Sequence, residues 1–260
     1  MSSTEVENRA VPRSVYGGIF LCSLAVLMQE VLLTRIFSFT IWYHLAYLTI
    51  STALIGFGAA GSILTIFPRW WQSAPRRFAG YCSAAAGLCL LLSMTILAPW
   101  PLDPSMMLSQ PGTFFVGLLG YYIAVTIPFL FAGLAVATPL AAYPHAANRL
   151  YGTDLLGAGL GCLAAVIALN KLDAAAAIAV CAAIFIAAGA LYWAPSRRSA
   201  VLAAIVVLVA VASPFADQAV VFLPTRSKQL AACAHIFAKP PRIALSFRSF
   251  IGCSSVAAGL

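Results

Sequence analysis

Charge is what this chain has least of. Charged residues make up 8% of it, and only seven are acidic, against 15 Lys and Arg. So few charges cannot cover a globular surface in water, which excludes an ordinary soluble domain. Long polar stretches are missing too. Between residues 15 and 213 the only Asp, Glu or Lys are Glu30, Asp103, Asp154, Lys171 and Asp173. The signatures of soluble catalysis are absent as well: there is no H-E-x-x-H, no P-loop and no Ser/His/Asp order, and His145 and His235 stand alone. The seven cysteines include no C-x-x-C pair and have no ligand-like neighbours, so neither a metal site nor a cofactor is expected. Cys22, Cys82, Cys89, Cys162 and Cys181 lie in apolar runs and read as small hydrophobes in helix packing; Cys233 and Cys253 lie near the end.

What is present is hydrophobic sequence, 62% of the chain. A helix needs roughly 20 apolar residues to cross the hydrocarbon core of a bilayer. Such runs occupy 15–35, 41–66, 78–97, 114–140, 150–170 and 174–193, with a shorter seventh at 200–213. The expected fold is all-α: a polytopic bundle of six or seven transmembrane helices. Its segments are an N-terminal stretch (1–14), the helical domain (15–213) and a short basic tail (214–260). The lipid bilayer is the expected partner.

The net charge of +8 raises nucleic acid as a partner, but the basic residues form no single patch. They alternate with the spans. With the N-terminus inside, Arg9, Arg13, Arg69, Arg76, Arg77, Arg149, Arg197 and Arg198 all fall on the cytoplasmic side. The opposite side carries only Arg35, at a helix end, and Lys171. This asymmetry points to a bacterial cytoplasmic (inner) membrane protein with a cytoplasmic N-terminus, and argues against nucleic acid. Arg226, Lys228, Lys239, Arg242 and Arg248 would lie outside if 200–213 crosses and inside if it does not. No small-x-small site ends the first run, so it reads as a retained signal anchor and not a cleaved signal.

Two glycine clusters stand out. Gly56-Phe-Gly58-Ala-Ala-Gly61 matches the dinucleotide-binding pattern letter for letter. That motif needs a strand, a turn and a helix start, and here the glycines sit inside one apolar run. They are expected instead to let helices approach closely, as are Gly157 and Gly161 at i, i+4 spacing. Pro128 is expected to kink its span.

Charges inside the spans are the sharper functional signals. A carboxylate at the depth of Glu30 costs roughly 2.5–3.5 kcal/mol on insertion scales, so it is paired, protonated or facing a wet cavity. Two roles follow: a hydrogen bond to a neighbouring helix, or a cavity that binds a cation. Arg35 follows at i+5, on a different face, and reads as a snorkelling helix end. Asp154 falls in the first turns of its expected helix, where a carboxylate can cap free N–H groups. His44, between Trp42-Tyr43 and Leu45, suits an interfacial belt. Glu30, Arg35, Asp154 and His44 form the candidate intramembrane polar site, with no catalytic residue and no metal ligand among them.

Three stretches together resemble a known family: Met28-Gln-Glu-Val-Leu-Leu-Thr-Arg-Ile-Phe-Ser38 running into Trp42-Tyr-His-Leu-Ala46, then Ala53-Leu-Ile-Gly-Phe-Gly-Ala-Ala-Gly-Ser62, and Arg149-Leu-Tyr-Gly-Thr-Asp-Leu-Leu-Gly-Ala-Gly-Leu-Gly161. This looks like the N-terminal membrane region of the bacterial multi-spanning spermidine synthase-like proteins, over roughly residues 15–230. The resemblance implies a membrane anchor joined to a Rossmann-like aminopropyltransferase or methyltransferase domain. That domain would bind S-adenosylmethionine or its decarboxylated form. Leu223-Pro-Thr-Arg-Ser-Lys-Gln-Leu230 resembles the join to such a domain, but 214–260 holds one acidic residue, Asp217, and no glycine-rich loop. The expectation is therefore a truncated member that keeps the membrane half, carries out no aminopropyl transfer itself, and anchors or presents a site for a soluble partner domain or self-associates. The alternative is a component of a small-molecule or cation transporter using Glu30, Arg35 and Asp154.

Overall fold

The structure, a computed structural model, describes residues 11–40, 47–97, 111–172 and 174–193. Every regular element among them is helical: α1 (Arg13–Thr40), α2 (Tyr47–Ile66), α3 (Pro68–Gln72), α4 (Pro75–Leu97), α5 (Pro111–Ala142), a 3-10 turn (Pro144–Ala146), α6 (Ala147–Lys171) and α7 (Ala174–Trp193). Six of the seven α-helices, all but α3, are long and apolar enough to cross a bilayer. The chain is a polytopic membrane helix bundle. The seventh apolar run, 200–213, and the tail lie outside the described residues.

Proline marks where helices start. Pro68, Pro75 and Pro111 are the first residues of α3, α4 and α5, and Pro144 opens the 3-10 turn. At that position the missing N–H is no loss, and the fixed φ suits the helix. Four spans, α1, α4, α5 and α6, run longer than their apolar runs because flanking residues continue the helices, while α7 matches its run and the described α2 begins at Tyr47. In particular, α1 extends to Thr40, so Arg35 lies inside the helix and does not end it. Tryptophans close α2: the Trp71 indole N–H donates to Leu64 O at 3.0 Å, and Trp70 stacks on Phe67 with centroids 4.7 Å apart.

Helices α1, α7, α4 and α5 form a ring in which each packs on the next, with α1 also touching α5. Outside the ring, α6 lies on α1, and α2 lies on α5 with a lesser contact to α1. The outer helices present many of their large apolar side chains to the surroundings: Leu54 on α2 is 71% exposed and Leu156 on α6 is 68%. In lipid such side chains cost nothing, because the tails are as apolar as they are. Association must then come from close packing and from hydrogen bonds between helices.

Close packing is concentrated at glycines. On α6, a β-carbon on Gly157 would collide with the backbone of Phe20, and one on Gly161 with that of Leu24, so α1 and α6 run parallel with their backbones in contact. The α4–α7 pair is antiparallel: a β-carbon on Gly87 would meet Ala182 O at 2.6 Å, and Gly80 and Gly189 face one another. At the α2–α5 contact, Gly56 meets Phe129 and Gly133 meets Ala60, again in parallel. These directions are what six successive crossings require. They gather the starts of α1, α4 and α6 and the end of α7 at one end of the bundle. There Arg76 Nη2 donates to Ser14 Oγ (3.2 Å) and to Tyr192 O (3.4 Å), joining α4 to α1 and α7. Arg13, Arg77 and Arg149 belong to the same end.

Candidate functional site

Helix α1 carries five polar groups along its length: Ser23, Gln29, Glu30, Thr34 and Arg35. The 100° step per residue separates them. Gly18, Cys22, Ala25 and Gln29 share the face that meets α7, where the Tyr192 ring covers Gly18 and Cys181 Sγ–H donates to Ala25 O at 3.2 Å. Ser23 and Glu30 share another face, seven residues and about 10 Å apart. Glu30 is half-buried, its backbone oxygen accepting from Thr34 Oγ1 at 2.8 Å, and Arg35 is exposed.

Asp154 is not a helix cap. The 3-10 turn moves the start of α6 forward to Ala147, with Ala146 as its cap, so Asp154 sits two turns inside the helix. Its Oδ1 accepts the hydroxyl hydrogen of Ser23, a direct α6–α1 bond beside the Gly157 and Gly161 contacts. The acid is therefore part of the α1–α6 interface. The structure does not gather the candidate residues into one chamber: Asp154 is held at the level of Ser23, Glu30 lies about two turns further along α1, and Arg35 lies beyond that. His44 lies outside the described residues.

The glycine expectation divides. Gly56, Gly157 and Gly161 touch neighbouring helices, but Gly58 and Gly61 are exposed, and a β-carbon added at either would meet nothing within 4 Å, so their role in packing this bundle is corrected. They point away from α5 because α2 is an outer helix that offers it only one face.

The groups that sequence reading missed are the hydroxyls that serve the prolines of α5. A proline has no N–H, so it leaves the carbonyl four residues earlier without its helical donor. Pro128 frees Ala124 O, and Ser93 Oγ from α4 donates to it at 2.6 Å. Pro139 frees Ala135 O, and Tyr192 Oη from α7 donates to it at 3.3 Å. Ser83 Oγ donates to Phe185 O at 2.7 Å across α4 and α7, although no proline frees that carbonyl. Ser83, Ser93 and Tyr192 thus bind neighbouring helices to one another, and at Pro128 and Pro139 the last two satisfy backbone that proline leaves open in a membrane.

Not every buried polar atom is served: Thr49 Oγ1 and Arg76 Nε have no hydrogen-bond partner among the described residues, and Gln29 has the largest group left so. It is 1% exposed, and neither Oε1 nor Nε2 has a hydrogen-bond partner among the described residues. Also among those residues, no three His, Cys, Asp or Glu side chains stand close enough to hold a metal ion. No family model matches this chain, and no curated protein or solved structure matches it either.

Proposed function

We propose that the chain is a membrane scaffold of the spermidine synthase-like type, holding an aminopropyltransferase-like domain at the cytoplasmic face of a bacterial inner membrane. The observation that carries the scaffold reading is the use to which the bundle puts its polar groups. Ser83, Ser93, Tyr192 and Cys181 donate to backbone carbonyls of other helices, and Asp154 is tied to Ser23. A conduit needs polar groups that converge on a path and stay available to a solute. A scaffold needs helices fixed to one another, and these bonds fix them. The link to aminopropyl transfer comes from the resemblance over residues 28–62 and 149–161, and the cytoplasmic N-terminus from the arginine asymmetry.

Cell fractionation tests this. Aminopropyl transfer to a diamine should sediment with membranes in cells that carry the gene, and should appear in the soluble fraction when the gene is deleted. Activity distributed identically in both strains would refute the assignment.

One observation favours a second reading. The unpartnered Gln29 amide and the half-buried Glu30 carboxyl are consecutive in α1 on different faces, and each leaves oxygen atoms that a cation in transit could use. In that case Glu30→Gln should abolish flux while the protein still inserts.

A further inference from the structure

A cavity of about 580 Å³ opens at the basic end of the bundle, lined by Val11, Tyr16, His145, Ala146, Asn148 and Arg149. Its volume falls within the range of small-molecule sites. It lies away from Glu30 and Gln29, and the scaffold makes no use of it. The chemistry of its wall is one-sided. Arg149 brings a permanent cation with a fork of N–H donors, His145 a ring nitrogen and Asn148 an amide, all three exposed at the rim, and Tyr16 a half-buried phenol; among the described residues no carboxylate lines it. The nearest acid along α6, Asp154, is occupied by Ser23.

The fold places these groups together for separate reasons. The 3-10 turn at Pro144–Ala146 carries His145 out of α5, with the Tyr143 ring packed edge-on against the imidazole at 6.1 Å. Asn148 and Arg149 follow in the first turn of the 25-residue α6, whose cap residue, Ala146, supplies no side-chain acceptor. Tyr16 arrives from the first turn of α1, which Gly157 and Gly161 bring against α6. The positive end of a long helix dipole therefore points the same way as the arginine.

We infer that this pocket binds a phosphate ester, with Arg149 as the principal ligand and Tyr16, His145 and Asn148 as further donors. Guanidinium forks match phosphate oxygens two at a time, and a wall whose described residues carry donors and no carboxylate favours an anion over a cation. Val11 and the ring of Tyr16 give the same pocket an apolar wall. Two sources supply this chemistry at a membrane surface: the headgroup of an anionic phospholipid, or a soluble phosphate ester.

The test is thermal unfolding of the full chain in neutral detergent with four additives: dioctanoyl-phosphatidylglycerol, dioctanoylglycerol, glycerol 3-phosphate and inorganic phosphate. A bound ligand raises Tm in a saturable way. The expected result is a saturable rise with the phosphate-bearing lipid, none with dioctanoylglycerol, and loss of the rise in Arg149→Gln. A rise with glycerol 3-phosphate or inorganic phosphate at comparable concentration would assign the site to a soluble ester, and a rise with the lipid alone to a headgroup. No saturable rise with any phosphate compound, or an undiminished rise in Arg149→Gln, would overturn the inference. Should Arg149→Gln fail to fold, Asn148→Ala and His145→Gln serve instead: each should weaken the apparent affinity several-fold, and unchanged affinity in both would overturn it equally.

Discussion

At the scale of the residue, the most informative pairs are a hydroxyl and a proline on different helices. Ser93 and Pro128 are coupled through one atom, Ala124 O. Removing the hydroxyl alone leaves that carbonyl unsatisfied in an apolar interior. Interhelical hydrogen bonds in membranes are worth about 0.6 kcal/mol on average and up to about 1.7 kcal/mol. Ser93→Ala should therefore destabilise the bundle by about 1 kcal/mol. In a Pro128→Ala background the carbonyl regains a helical N–H, and Ser93→Ala should become nearly neutral. A double-mutant cycle by unfolding in mixed detergent reads this coupling, and a Ser93→Ala cost unaffected by residue 128 would show that the bond does not serve the proline.

At the scale of the element, α6 is the span with least cover, only 22% of its most apolar stretch being buried, and it rests almost wholly on one partner, α1. Its attachment depends on backbone contact at Gly157 and Gly161 and on the Ser23–Asp154 bond. Overpacking a tight contact costs about 1–3 kcal/mol, and here the colliding atoms are backbone, which cannot turn aside. Gly157→Leu or Gly161→Leu should lower stability by at least that much and expose α6 to proteolysis, while Gly58→Leu, on an open face, should change little. Limited proteolysis with Tm measurement separates the two classes; equal behaviour of Gly58→Leu and Gly157→Leu would contradict the packing assigned here.

These elements also differ in how far they can be read from sequence. The existence of the six described spans is legible because apolar length alone determines it, and α7 runs over the very residues its hydropathy marks, 174–193. Helix ends are less so: nothing in the apolar pattern shows that α1 continues past Arg35 or that a 3-10 turn moves the start of α6, and the capping role expected of Asp154 fails for that reason. Glycine spacing identifies Gly56, Gly157 and Gly161 but cannot distinguish them from Gly58 and Gly61, because the pattern is the same and only the position of the neighbouring helix differs. The Ser93–Pro128 and Tyr192–Pro139 pairs join residues far apart in sequence, and a single chain gives no signal that links them.

At the scale of the whole molecule, the parallel and antiparallel contacts agree with six alternating crossings, and the described arginines other than Arg35 collect at the end that holds Ser14, Arg76 and Tyr192. Reporter fusions should therefore place the segment after Gln72 in the cytoplasm and the segment before Pro111 on the opposite side; the reverse pattern would overturn the orientation argued from charge. On the scaffold proposal, the bundle's polar groups hold helices together and do not conduct. Uptake of a labelled polyamine by proteoliposomes containing wild-type protein, measured beside Glu30→Gln and empty liposomes, tests it most directly. The scaffold account predicts uptake at the level of empty liposomes for both proteins, whereas saturable uptake by wild type that disappears in an inserted and folded Glu30→Gln variant would contradict it.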